Sequence, residues 1–77
     1  MTELRFHHEV YSVKALDEAS RVFADVAEVE QDQHMPYFDV RLTATSDAPE
    51  ELLAREFANY ALGLTVEERR SGGSDAP

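Results

Sequence analysis

Ala27–Ala44 reads AEVEQDQHMPYFDVRLTA, and this stretch decides which fold the chain can adopt. In its first part Ala27, Val29 and Gln31 alternate with Glu28, Glu30 and Asp32. In its last part Phe38, Val40, Leu42 and Ala44 alternate with Tyr37, Asp39, Arg41 and Thr43. A period of two is that of a strand with one buried face. Gln33, His34, Met35 and Pro36 lie between the runs, and Pro36 drives Met35 into an extended conformation. Two alternating runs across a short polar loop predict a hairpin of strands Ala27–Asp32 and Tyr37–Ala44.

Upstream, Leu4, Phe6, His8 and Val10 alternate with Arg5, His7, Glu9 and Tyr11, which predicts another half-buried strand. At Ser12 the spacing becomes helical. Val13, Leu16, Ala19, Phe23 and Val26 recur on one face, with Ser12 placed to cap a helix over Val13–Asp25. Downstream, Asp47 is the expected N-cap of a second helix, with Pro49 in its first turn and Glu50 and Glu51 at the positive end of its dipole. Leu53, Phe57, Tyr60, Ala61 and Leu64 form its apolar stripe. Gly63 weakens that helix, which ends there or continues to Arg70.

The order is therefore β-α-β-β-α. One apolar face per strand and one stripe per helix pack most simply as an α+β two-layer sandwich, both helices on one side of a three-stranded sheet. A right-handed crossover leaves room for the third strand between the first two, giving antiparallel order 1-3-2. That is a ferredoxin-like layout lacking its last strand. The alternative is order 3-2-1 with the first two strands parallel. Residues 1–70 form one domain, and the Gly/Ser tail 71–77 has no apolar anchor and reads as disordered.

In order 1-3-2 the edge of the first strand, around Glu3–Val10, keeps free amides and carbonyls that another chain can pair with. A homodimer through that strand or an added peptide would satisfy them, although charged residues are also how natural edges stay soluble. Arg5, His7, Glu9 and Tyr11 on this strand are candidate partner contacts. So are Glu28, Glu30 and Asp32 on the second strand, with Arg41 between the strands to offset their repulsion.

Composition narrows the rest. The 77 residues carry 16 acidic and 7 basic side chains, a net charge of −9 that disfavours nucleic acid and anionic lipid. The middle third, residues 26–50, has six acids against one base. No apolar run is long enough for a membrane span, and no signal-peptide pattern precedes the first strand. Cysteine is absent, which excludes disulfides and thiolate chemistry and fits a cytoplasmic protein. Adjacent His7 and His8 would face opposite sides of a strand, His34 lies in the loop, and His8 is expected to be partly buried and hydrogen-bonded. No metal site or cofactor is expected. Without a nucleophile elbow or a phosphate-binding glycine loop, neither is catalysis.

The run Val10–Ala19 (VYSVKALDEA) with Phe23, and the later Glu56–Leu62 (EFANYAL), resemble the HxsD family, the small proteins of His-Xaa-Ser peptide-modification systems. The resemblance spans residues 4–70. Tyr11 and Asn59 weigh most in it, because neither capping nor an apolar stripe demands them. Members are encoded beside radical S-adenosylmethionine proteins and a peptide with His-Xaa-Ser repeats. The resemblance implies a non-catalytic accessory that binds a substrate peptide or its maturation enzyme, any iron–sulfur cluster belonging to the partner. Two other roles suit the residues: a homo-oligomeric structural module, and a small acidic inhibitor or antitoxin-like protein.

Overall fold

The structure, a computed structural model, describes residues 1–73, with side chains described for residues 1–70. Its elements are β1 (Thr2–His7), α1 (Val13–Val22) continued by a 3₁₀ turn (Phe23–Asp25), β2 (Ala27–His34), β3 (Tyr37–Ala44) and α2 (Glu50–Gly73). The sheet order is β1-β3-β2 with both pairings antiparallel, which excludes the 3-2-1 alternative. Both helices cover one face. Phe6, Phe38, Val40, Leu42 and Ala27 of the sheet meet Leu16, Ala19, Leu53, Phe57 and Ala61 of the helices in one core. Gln31 ties β2 to α1, donating to Asp17 Oδ1 at 3.0 Å and Ser20 Oγ at 3.2 Å.

The cap of α1 forms as expected, with the Ser12 hydroxyl accepting from Ala15 N at 3.0 Å. The start of α2 differs. Asp47 makes no capping bond among the described residues; the Pro49 carbonyl accepts from the amides of Leu52 and Leu53, both at 3.1 Å. Glu50 and Glu51 do lie in the first turn.

Other boundaries move for tertiary reasons. β1 stops at His7 and not at Val10, because its pairing runs only as far as Tyr37, the first residue of β3. Beyond that point the chain turns toward the helix layer. His8 N donates to Pro36 O at 2.9 Å, and the amides of Val10 and Tyr11 donate to His7 O at 3.0 Å. β2 in contrast runs on through Gln33 and His34, since β3 offers partners up to the two-residue turn Met35–Pro36, whose peptide is cis.

α2 passes through Gly63 and continues to Gly73. Its second half is held by the β1–α1 connection. Ser12 N donates to Thr65 Oγ1 at 3.2 Å, Ser12 Oγ donates to Glu68 at 3.2 Å, and Arg69 donates to the Glu9 carbonyl. Thr65, absent from the expected stripe, is buried, while Tyr60, expected on it, stays 39% exposed with its ring edge on Phe23. Of the expected tail, residues 74–77 lie outside the described residues, and Ser71–Gly73 close α2.

Candidate interaction surface

The helices leave one face of the sheet uncovered. Strand periodicity places Glu3, Arg5 and His7 of β1, Tyr37, Asp39, Arg41 and Thr43 of β3, and Glu28, Glu30, Asp32 and His34 of β2 on that face. The register orders them into rows across the sheet: Glu3, Arg41, Glu30; then Arg5, Asp39, Asp32; then His7, Tyr37, His34.

Charge along these rows is largely matched within the chain. Arg41, on the central strand, donates from Nε to Glu30 at 3.2 Å and from Nη1 to Asp32 at 2.6 Å. Arg5 donates from Nε to Asp39 at 2.9 Å, and its guanidinium lies 4.9 Å from the centre of the Tyr37 ring. The hydrogen bond from Arg41 holds the Asp32 carboxyl below its ordinary value, and the Asp39 carboxylate raises Arg5. Asp32 is thereby held ionised, which is the reverse of what a general acid needs.

Five carboxylates meet two guanidinium groups here, so the face is acidic. Glu3 is the carboxylate at the β1 edge. It makes no ion pair among the described residues, because Arg41 beside it turns toward β2. A depression of about 360 Å³ lies across these rows, lined by Glu3, Arg5, Asp32, His34, Asp39 and Arg41 together with Leu4 and Val40.

Six of the eight residues nominated from the sequence meet on this face: Arg5, His7, Glu28, Glu30, Asp32 and Arg41. Glu9 and Tyr11 do not join them. Glu9 sits in the turn after β1, exposed, with its carbonyl toward Arg69. Tyr11 turns inward, its ring edge-on to Phe6 at 4.6 Å.

His8, in the same turn, is partly buried as expected. Its ring stacks on His7 at 5.1 Å and 20°, and it lacks the expected side-chain hydrogen bond among the described residues. Adjacent imidazoles share a side here because His8 is not in extended backbone. Even so, no group of three or more metal-ligating side chains converges among the described residues.

Glu3, Tyr37, Asp39, Thr43 and His34 also belong to the surface and are not among the eight candidates. The alternation of β3, combined with order 1-3-2, carries the signal for Tyr37 and Asp39. His34 was hidden by its assignment to the loop.

The backbone edge of β1 borders this face. β1 bonds to β3 on one side, and no other described strand lies beyond it. No helix among the described residues is long and apolar enough to cross a membrane. Comparison with protein-family models, curated proteins and solved structures finds no match to this chain.

Proposed function

We propose that this chain is a non-catalytic binding protein that takes an extended peptide segment as an added strand along β1. The observation that carries the reading is the open β1 edge, with Glu3 unpaired beside it. An added strand would gain main-chain hydrogen bonds from Thr2–His7, and alternate side chains would read the two faces. Toward the helices they would extend the apolar cover over half-buried Leu4. Toward the open face they would meet Glu3 and the acidic rows, which suits a segment with basic or histidine side chains.

The narrower role is that of a cytoplasmic accessory in maturing a ribosomally made peptide with a radical S-adenosylmethionine partner. It is supported by the resemblance of Val10–Ala19 and Glu56–Leu62 to the HxsD family. Of the two residues that weigh most there, Tyr11 serves core packing, whereas Asn59 is exposed on α2.

Titration with a synthetic peptide of His-Xaa-Ser repeats, followed through backbone amide shifts, tests both levels. Shifts confined to Glu3–His7 and the neighbouring β3 residues are expected, and a Val-Lys alternating peptide should bind the same edge. Binding that leaves β1 amides unmoved would refute strand addition. Response to the Val-Lys peptide alone would remove the maturation role.

A further inference from the structure

We infer that β1 also pairs with β1 of a second copy of this chain, antiparallel about a two-fold axis at Leu4, joining two sheets into one of six strands. The inference rests on the reading of β1 as a docking edge and names the occupant that the edge takes when no peptide is bound.

The argument is in the order of charges along the strand. Glu3 and Arg5 flank Leu4 on the open face. With the axis at Leu4, Leu4 faces Leu4, and Glu3 of each copy faces Arg5 of the other. Thr2 faces Phe6, so the register uses Thr2–Phe6, nearly the whole strand. Directly opposed side chains in an antiparallel pair have Cβ atoms about 4.5–5.5 Å apart, within reach of an ion pair.

Competing registers fail on the same grounds. An axis at Glu3 opposes two carboxylates and an axis at Arg5 opposes two guanidinium groups. Shifting by half a step sets core-facing residues against open-face residues, which the pleat forbids. An axis at Phe6 leaves only Arg5–His7 to pair, because β1 ends there.

The existing contacts leave room for the new ones. Arg5 uses Nε on Asp39, and a guanidinium has five N–H donors, so it can bridge Asp39 and the incoming carboxylate. Glu3 has no competing ion pair among the described residues. Leu4 is half-buried and packs on the core, and the second Leu4 covers its open side. α2 packs over β1 and β3, so the joined sheet lays two α2 helices side by side with opposed dipoles.

Size measurement over a concentration series, from micromolar to millimolar, tests the pairing with charge reversals. Wild type should move from 8.7 kDa toward twice that mass. Glu3→Arg and Arg5→Glu, checked for folding by circular dichroism, should each weaken association by about tenfold or more. Mixed in equal amounts they should recover it, because one chain then flanks Leu4 with two arginines and the other flanks it with two glutamates.

Should Arg5→Glu fail to fold, single cysteines replace it, since the chain has none of its own. Leu4→Cys should crosslink to a covalent dimer on oxidation, and Glu3→Cys, offset from its symmetry mate, should not. Wild type monomeric throughout, variants that associate like wild type, or crosslinking at residue 3 in place of residue 4 would each overturn the inference. Peptide-induced shifts on β1 without any dimer refute the pairing alone. A dimer rescued by mixing, with no peptide response, refutes the peptide reading alone.

Discussion

Glu50 is the side chain on which most of the chain's amino-terminal end converges. Its carboxylate accepts from Ala44 N at 2.9 Å and from the Thr2 hydroxyl at 2.8 Å, and it pairs with the Met1 ammonium at 2.9 Å. Chiefly through the Ala44 amide, then the ammonium and Thr2, its pKa falls from 4.5 to about 2. A carboxyl with a depressed folded-state pKa contributes stability that is fully present above 4.5 and lost as pH falls toward 2. Thermal melts across that window should therefore show a decline that Glu50→Gln flattens; equal slopes for the two proteins would refute the assignment. Thr65 is the second such residue, 1% exposed, donating to Ala61 O at 2.9 Å and accepting from Ser12 N. Thr65→Val keeps the volume and strands the Ser12 amide, so urea denaturation should register a loss of about 1–3 kcal/mol. No loss would mean that water replaces the hydroxyl.

Among the elements, α1 was the most legible, since Ser12 carries both the cap and the change of period. β3 was equally plain, its alternation unbroken from Tyr37 to Ala44. α2 was legible at Leu53, Phe57 and Ala61, and of its two expected ends, Gly63 or Arg70, the structure follows the longer and runs on to Gly73. Gly63 looks like a stop when only local propensity is weighed, and the helix persists because Thr65, Glu68 and Arg69 grip the β1–α1 turn. Gly63 is exposed, and a Cβ added there meets nothing within 4 Å. Gly63→Ala should thus stabilise by about 0.5–1 kcal/mol, seen as a higher urea midpoint at unchanged slope. A lower midpoint would refute the assignment of Gly63 as a plain helix-interior position.

Over the whole molecule the excess of acids dominates. A net charge of −9 on 77 residues is self-repulsion that the few surface ion pairs offset only in part. Screening should relieve it, so the melting temperature should rise by about a few degrees between low salt and ~0.5 M sodium chloride. A fall would mean that the Arg5 and Arg41 pairs outweigh the general field. The same distribution accounts for how much of the surface could be read in advance. Arg41 among Glu28, Glu30 and Asp32 followed from strand order and alternation. Alternation alone carries Tyr11 and Glu9 onto the surface because it continues past His7, whereas the strand does not.

Element order, facing and the α1 cap follow from the sequence itself, because periodicity and capping are local properties that each segment carries alone. Where β1 stops, how far α2 extends and which guanidinium meets which carboxylate were decided by the tertiary structure. A strand ends where its neighbour has no more backbone to offer, and a helix persists where distant groups bind its side chains. Glu3 could not be known as an unmatched carboxylate until the packed sheet turned Arg41 toward Glu30 and Asp32, since a charge goes to whichever partner the fold brings within hydrogen-bonding reach.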